Sequence, residues 1–323
     1  MSAIGLQIIT PEWLSPPGVR AAFTLRTGGA SVAPYDSLNL GARIGDSPAA
    51  VAENRRRVRE KLRLPAEPVW LEQVHGVEVV EVGAVVGLGD ASAWGRSEAT
   101  AARSAGAAAG AGGAASAGGV AGAGGTVATV CGVARAGEAA VRVGAAGDME
   151  LGRDDPGDRP PTGDAAVARG PGQVCAIRVA DCMPVLFAAR DGSVVGAAHA
   201  GWRGLAGGVL EATIGRLGVP ATELIAWMGP AIGPEHFEVG EDVRAAFTAT
   251  DAGAASAFVA NTRGRWQCDL YALARRRLSS LGVSGIYGGG WCTFAEAGRF
   301  FSYRRDGQCG RMAALIWIEP APG

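Results

Sequence analysis

The sequence lacks the features that would place it in a membrane, on nucleic acid or in an oxidising compartment. No apolar run approaches the roughly 18 residues needed to cross a bilayer. The first twenty residues contain no basic start followed by an apolar stretch, so no secretory signal is expected. The formal net charge is −1, and the six cysteines include no Cys-x-x-Cys pair. We therefore expect a soluble cytoplasmic protein with free thiols that binds neither nucleic acid nor membrane.

A stretch of low complexity interrupts the chain. Between residues 101 and 125 almost every residue is alanine or glycine. Such a segment has little to bury, and its many glycines oppose helix formation. We interpret residues 86–160 as a flexible insertion in a single domain that spans residues 1–323.

Short apolar runs predict several strands. The clearest lie at Val174–Val179, Leu224–Met228 and Met312–Ile318. We also predict a strand over Phe300–Gly307, joined to the last one by a turn that contains Asp-Gly.

Helix starts are marked by capping residues. Pro48 follows Asp46 or Ser47 at one start, and Asp269 precedes a run with helical leucine spacing. Because strands and helices do not follow a strict βαβ repeat, we predict an α+β fold, or a mixed α/β one.

The candidate chemistry centres on two strand ends. Cys182 follows one predicted strand, and His199 ends another just before the turn at Gly201. The chain contains only three histidines, and His75 is another of them. Catalytic zinc commonly takes three ligands from histidine, cysteine and carboxylate and leaves a fourth position open. His75, Cys182 and His199 therefore form a candidate metal site.

The spacing of these residues leaves two other interpretations open. Cys182 could act as a nucleophile, with His75 or His199 as its base. Alternatively, the three side chains are buried or hydrogen-bonded structural residues. We assign His236 a structural role and keep Cys292 as a neighbour of the site.

Two arginines lie beside glycine-rich turns. Arg203 follows the turn at Gly201, and Arg26 lies just before Gly28. A guanidinium in such a turn suits a phosphate or carboxylate, although a surface ion pair is an equal alternative.

Taken together, these motifs resemble the laccase-domain family, whose members are named multicopper polyphenol oxidases, purine nucleoside phosphorylases or peptidoglycan-editing proteins. The resemblance covers nearly the whole chain outside the insertion and follows the family's order. The matching segments are Phe23–Gly29, Ser37–Gly41, Gln73–Gly76, Ala180–Pro184, His199–Gly204, Gly229–Pro234, Cys292–Thr293 and Phe301–Asp306.

The resemblance implies both a fold and an activity. The fold would be a layered sandwich of mixed β-sheets flanked by helices, similar to the cysteine hydrolase fold of cytotoxic necrotizing factor. One zinc ion would be bound by the residues matching His75, Cys182 and His199. The implied reaction is phosphorolysis of adenosine, inosine, guanosine or methylthioadenosine to the free base and a pentose 1-phosphate, with adenosine deamination as a second activity. The partners would be the nucleoside and phosphate, and we expect a monomer or a weak dimer.

Four further residues are candidates for proton transfer or for binding substrate and phosphate. Asp181, beside the thiolate, is expected to orient a ligand or to shuttle a proton, with a structural role as the alternative. Arg26, Asn39 and Arg203 are the candidates for binding substrate and phosphate.

The number of histidines bears on the other activities named for the family. Three histidines cannot supply the several copper centres of a multicopper oxidase, so we expect zinc rather than copper and disfavour polyphenol oxidation. Hydrolysis of a misincorporated amino acid from a nucleotide-linked muramyl precursor is an alternative that would use the same site. A scaffold role would call for a closed site with a fourth ligand, and only three are apparent.

Two features depart from the family pattern. Arg43 stands where many relatives have a histidine, so any role of that histidine does not transfer. The Ala/Gly-rich insertion is also unusual, but lengthening a flexible loop costs only about 0.6 kcal/mol per doubling.

Overall fold

The computed structural model describes residues 5–83 and 160–321. Numbered in chain order, the strands are β1 (Ile8–Ile9), β2 (Val19–Thr24), β3 (Val69–Trp70), β4 (Val79–Glu81), β5 (Ala165–Ala168), β6 (Val174–Val179), β7 (Met183–Ala189), β8 (Val195–Ala200), β9 (Leu224–Met228), β10 (Glu238–Val239), β11 (Phe258–Ala260), β12 (Trp266–Cys268), β13 (Gly285–Gly288) and β14 (Met312–Ile318). The helices are α1 (Pro48–Leu62), α2 (Trp202–Gly207), α3 (Val209–Leu217), α4 (Glu241–Thr248), α5 (Leu270–Ser280) and α6 (Tyr303–Asp306).

Two large mixed sheets carry most of these strands. One has five strands in the order β1-β2-β14-β6-β3, and the other has six in the order β13-β9-β7-β8-β5-β4. Most neighbours are antiparallel, but β3–β6, β9–β13 and β4–β5 are parallel. A small third sheet, β10-β12-β11, was not anticipated from the sequence.

The five-stranded sheet has apolar side chains on both faces. In β6, Cys175 and Ile177 point into the core between the two large sheets. Val174 and Ala176 point the other way and pack with Val58 of α1. Successive residues of a strand face opposite sides, so a continuous apolar run is buried on both faces.

The six-stranded sheet is covered in the same way. Leu186 of β7 contributes to the core between the sheets, whereas Val185 and Phe187 pack against the opposite layer with Leu210 of α3 and Leu273 of α5. The result is a helix–sheet–sheet–helix sandwich. The predicted mixed α+β sandwich flanked by helices is thus confirmed.

The two predicted helix starts are also confirmed. The hydroxyl of Ser47 accepts a hydrogen bond from the N–H of Ala50 at 3.4 Å, and Pro48 occupies the first turn of α1. At α5, the carboxylate of Asp269 accepts one from the N–H of Ala272 at 2.9 Å.

The prediction of a strand over Phe300–Gly307 is wrong, because α6 occupies its second half. The hydroxyl of Ser302 accepts a hydrogen bond from the N–H of Arg305 at 3.2 Å and caps this helical turn. The guanidinium of Arg305 donates to the carbonyls of Thr293 and Phe294 at 2.7 and 2.8 Å. The aromatic residues of this segment favour a strand, but these contacts with residues 11–12 positions earlier in the chain hold it as one helical turn.

The predicted insertion at residues 86–160 falls, apart from its last residue, outside the described ranges and stays a prediction. Among the described residues, no helix combines the length and the apolar character needed to cross a membrane.

Asn54 is a buried polar residue on the inner side of α1. Its side-chain oxygen accepts a hydrogen bond from the N–H of Ala30 at 2.7 Å. Its amide group donates to the hydroxyl of Ser31 at 2.8 Å and to the carbonyl of Asn39 at 2.9 Å. One carboxamide therefore ties the irregular segment between β2 and α1 to the helix.

Replacing Asn54 by alanine is expected to lower the free energy of unfolding by about 2–4 kcal/mol, because several buried polar groups lose their partner at once. Chemical denaturation followed by tryptophan fluorescence measures the change. Arg59→Ala, at an exposed position of the same helix, is the control and should stay within about 0.5 kcal/mol of the unmodified protein. Equal effects of the two substitutions would contradict a stabilising role for the Asn54 network.

Candidate metal centre

Three candidate ligands that are far apart in the sequence converge at one end of the six-stranded sheet. Cys182 immediately precedes β7, and His199 lies near the end of the antiparallel strand β8, opposite Pro184. His75 lies in the connection between β3 and β4, with a φ of 63°. The ligand atoms of His75, Cys182 and His199 all lie within 4.8 Å of one another. The structure thus brings together the three residues that the sequence analysis grouped.

The cluster is buried on one side and open on the other. His199 is 3% exposed, whereas Cys182 is half-buried and His75 is exposed. The Sγ atom of Cys182 lies 3.9 Å from Nε2 of His75. Zinc binds sulfur at about 2.3 Å and imidazole nitrogen at about 2.0–2.1 Å, so only a small closure would let one ion reach all three. The donor set and spacing therefore fit a three-ligand metal site with an open fourth position.

Asp164 contacts this cluster from its buried side and holds two of its members in position. Its carboxylate, which is fully buried, accepts hydrogen bonds from the backbone N–H groups of Val74, His75 and Gly76 at 3.1, 2.9 and 2.6 Å. It also lies 2.8 Å from Nδ1 of His199. A carboxylate bound to one ring nitrogen fixes the tautomer and directs the other nitrogen to the metal. Asp164 therefore positions two of the three candidate ligands.

The charges in the metal-free cluster reinforce each other. Burial alone would raise the pKa of the Cys182 thiol, but the charge of His199 and the hydrogen bonds from both histidines outweigh it and lower the pKa to about 6. Burial alone would lower the pKa of His199, but the Cys182 thiolate and the Asp164 carboxylate raise it to about 9. Although burial opposes its ionisation, Asp164 has a lowered pKa because His199 and the N–H groups of Gly76 and His75 bind its charged form. The thiol is therefore prepared to act as a thiolate.

Gly201 lets the backbone pass close to this thiol. A methyl group at position 201 would lie 2.8 Å from Sγ of Cys182 and 3.4 Å from Cδ2 of His75. Any larger residue would push the turn between β8 and α2 away from the cluster.

Asp181 directs its carboxylate away from the ligand cluster and towards the C-terminal part of the chain. Its two carboxylate oxygens accept hydrogen bonds from the hydroxyl of Thr293 at 2.6 Å and from the backbone N–H of Arg304 at 2.7 Å. Its own carbonyl accepts one from the N–H of Ile232 at 3.0 Å. With a φ of 82°, Asp181 also shapes the turn that delivers Cys182. These contacts support the structural alternative for Asp181.

The two candidate phosphate-binding arginines have different surroundings. The guanidinium of Arg203 is exposed and stacks over the ring of Trp202 at 4.4 Å, and no side-chain hydrogen bond or ion pair engages it within the described residues. That of Arg26 donates to the carbonyls of Asp36 and Ala297 at 3.0–3.2 Å and lies over the ring of Phe301. Arg203 is therefore the better placed of the two to bind an anion.

The carboxamide of Asn39 is fully occupied within the protein. Its oxygen accepts hydrogen bonds from the N–H groups of Gly41 and Arg311, both at 2.8 Å. Its amide group donates to the carbonyl of Gly41 at 3.1 Å and to the carboxylate of Asp46 at 2.8 Å. An asparagine with both donors and both acceptor positions used has no polar atom left for a ligand. We therefore do not assign the Asn39 side chain to substrate binding.

His236 and Cys292 form a separate pair, with Nδ1 of His236 at 3.5 Å from Sγ of Cys292. The sequence analysis gave His236 a structural role and placed Cys292 near the site without linking the two. The loops that carry them follow β9 and β13, which end side by side at Met228 and Gly288.

Asp164 was not among the site residues predicted from the sequence. One signal was available, since Asp164 is a charged residue directly before the apolar strand β5. A carboxylate at the start of a buried strand is expected to be hydrogen-bonded or paired with an opposite charge. The identity of that partner depends on contacts with residues about 35 and 90 positions away.

In metal-free protein, the rate at which iodoacetamide alkylates Cys182 should rise to half its maximum near pH 6, because the thiolate is the reactive form and its pKa is about 6. Below that pH the sulfur is protonated and the rate should fall. Peptide mass spectrometry of samples treated across a pH series measures this. Cys268, whose buried thiol has its pKa raised to about 12, is the internal control and should stay unmodified. A rise only near pH 9, the ordinary value for a thiol, would contradict the assigned interaction with His199.

Comparisons with known proteins agree with this fold and show the family. The family model described as multi-copper polyphenol oxidoreductase laccase matches residues 20–114 and 126–319. A Pseudomonas aeruginosa protein named purine nucleoside phosphorylase is 43% identical over 312 residues, which cover 96% of this chain and 98% of that protein. Escherichia coli YfiH, also named purine nucleoside phosphorylase, is 40% identical over 312 residues, with 97% and 99% covered.

Solved structures of similar proteins share the fold over nearly their whole length. A crystal structure of a Neisseria meningitidis protein matches with a TM-score of 0.72 and 37% identity, covering 97% of this chain and 99% of that one. YlmD from Geobacillus stearothermophilus matches with a TM-score of 0.69 and 28% identity, covering 94% and 93%. Together with the family match over most of its length, these similarities establish that the chain belongs to the multi-copper polyphenol oxidoreductase laccase family.

Proposed function

We propose that this protein is a zinc-dependent purine nucleoside phosphorylase. The observation that carries the proposal is the convergence of His75, Cys182 and His199 above the buried carboxylate of Asp164. The names of the relatives from P. aeruginosa and E. coli support the reaction type.

Zinc is the metal that suits this donor set best. Two imidazoles and one thiolate are ligands of catalytic zinc sites, and such sites keep one coordination position open. The exposed side of His75 provides that opening. When bound, the ion would act as a Lewis acid towards a substrate oxygen.

The protein's own residues would supply position and charge. In phosphorolysis, an oxygen of inorganic phosphate forms a bond to C1′ of the ribose while the bond from C1′ to the purine nitrogen breaks. The guanidinium of Arg203 would hold the phosphate, and its stacking on Trp202 limits its rotation. Asp164 would keep His199 in one tautomer, and Asp181 would hold the turn that carries Cys182. We assign Arg26 to support of the loop around Asp36.

Adenosine deamination would be a second reaction at the same site. It replaces the amino group of the purine with oxygen from water, so it needs an open position but no bound phosphate. The two reactions are therefore distinguished by their dependence on phosphate.

Polyphenol oxidation, which the family description names, does not suit this chain. A multicopper oxidase needs several copper centres fed by many imidazoles, and the whole sequence has three histidines. Two of these lie in the candidate zinc site, and the third faces Cys292.

Cys182→Ala is expected to abolish both metal binding and phosphorolysis, because removal of one of three ligands leaves too few to hold the ion. Metal analysis of the purified protein and chromatography of adenosine incubated with phosphate measure the two effects. The unmodified protein should contain one zinc ion per chain and release adenine only when phosphate is present.

Asp164→Asn provides the graded control for this experiment. It leaves all three ligands in place, so it should weaken zinc affinity by roughly 10- to 100-fold without abolishing binding. Full activity in metal-free Cys182→Ala protein would refute the proposal. Inosine formed without adenine would make deamination the main reaction, and neither product from zinc-loaded protein would favour the muramyl precursor as substrate.

Arg203→Ala is expected to raise the KM for phosphate about tenfold or more while changing the KM for adenosine little, because a lost charge-assisted hydrogen bond is worth about 1.5–3 kcal/mol. Steady-state kinetics with each substrate varied separately measures this. Arg216→Ala removes a surface arginine paired with Glu81 and should leave both constants unchanged. An equal rise for both substrates would argue against a phosphate role for Arg203.

A further inference from the structure

Outside the candidate metal centre, a second thiol faces an imidazole. Sγ of Cys292 lies 3.5 Å from Nδ1 of His236 and accepts hydrogen bonds from the backbone N–H groups of Gly233 at 3.2 Å and Ala295 at 3.4 Å. The sulfur therefore faces two N–H donors and one imidazole nitrogen that can accept the thiol proton.

The surroundings of the pair are built for this contact. The ring of His236 stacks on the ring of Phe294, with centroids 4.6 Å apart and planes inclined by 23°. This stacking fixes the orientation of the imidazole towards the sulfur. A methyl group at position 233 would lie 3.2 Å from Sγ and 3.1 Å from Cβ of Cys292, so a larger residue would press the thiol away from its present position.

Cys292 is the least enclosed of the described thiols outside the candidate metal centre. Cys292 and His236 are both half-buried, and Ala295 beside them is exposed. Cys175, Cys268 and Cys309 are all buried, and burial raises the pKa of each of these thiols. Cys182 is committed to the candidate metal centre. Among the described cysteines, Cys292 alone combines access, an imidazole partner and freedom from the metal site.

We propose that Cys292 is a nucleophilic thiol that hydroperoxides oxidise to a sulfenic acid. The thiol proton passes to His236, and the sulfur then attacks one oxygen of the peroxide. A sulfur–oxygen bond forms as the oxygen–oxygen bond breaks, and the departing hydroxide (alkoxide, for an organic hydroperoxide) takes the proton from His236 and leaves as water (or alcohol). The sulfur is oxidised by two electrons and the peroxide is reduced.

The backbone donors have a second use in this reaction. The N–H groups of Gly233 and Ala295 already point at the sulfur, so an oxygen added there would lie within reach of them. Negative charge develops on the departing oxygen, which takes its proton from His236, whereas the two N–H groups would donate to the oxygen of the sulfenic acid once it has formed.

The test uses the purified full-length protein with its metal bound. It is treated with hydrogen peroxide in the presence of dimedone, which reacts with sulfenic acids, and the labelled peptides are quantified by mass spectrometry. The Cys292 peptide should be labelled in proportion to peroxide, while the buried Cys268 stays unlabelled. His236→Phe keeps an aromatic ring to stack on Phe294 but removes the nitrogen, and it should slow labelling about tenfold or more.

Gly233→Ala gives an independent check, because the added methyl group displaces the N–H from the sulfur without touching the imidazole. It should also slow labelling, and circular dichroism and thermal unfolding establish that each variant is folded. Labelling of Cys292 no faster than that of Cys268, or rates unchanged in folded His236→Phe protein, would overturn the proposal. These measurements do not depend on nucleoside turnover, so they stand apart from the test of the phosphorylase activity.

Discussion

The buried carboxylate of Asp164 is the interaction on which the rest of the site depends. It accepts hydrogen bonds from three backbone N–H groups of the loop that carries His75, and it lies 2.8 Å from Nδ1 of His199. A buried charge without these partners would be costly, and the loop without this side chain would lose the acceptor of three backbone hydrogen bonds. One side chain therefore links the N-terminal part of the chain to the central strands. The conformation of His75, with its positive φ, is kept in place by the same contacts.

The antiparallel register of the six-stranded sheet supplies the other half of the arrangement. Met183 pairs with Ala200, and Ala165 pairs with Ala198, so the residues just outside these pairs gather at one end of the sheet. Cys182 and Asp164 are such residues. The burial then decreases from Asp164 through His199 and Cys182 to His75, so the cluster is supported from within and open only at its outer side. A site with this gradient can hold an ion rigidly and still admit a substrate.

The sequence alone predicted those features that depend on local patterns. Strands β6, β9 and β14 are apolar runs buried on both faces, and α1 and α5 begin at the capping residues Ser47 and Asp269. The roles of Asp164 and Arg305 could not be predicted in this way, since their partners lie on other loops and the sequence contains no spacing that joins them. Residue type and position at strand ends grouped the three ligands, and the family resemblance added the zinc ion, but only the fold shows which residue positions them.

Two thiols lie at this end of the sheet, and their surroundings explain why different chemistry is assigned to each. Cys182 faces two imidazoles, one of them backed by a carboxylate, and these nitrogens have lone pairs to offer a metal. Cys292 faces one imidazole and two backbone N–H groups, and the N–H groups can only donate. One imidazole beside the thiol is too few ligands for a metal site, but it can accept the thiol proton, and the N–H groups can donate to an oxygen bound to the sulfur. The same pairing of sulfur and imidazole is thus assigned to metal binding in one loop and to oxidation in another. The difference lies in the other groups that contact each sulfur, a second imidazole at Cys182 and two backbone N–H groups at Cys292.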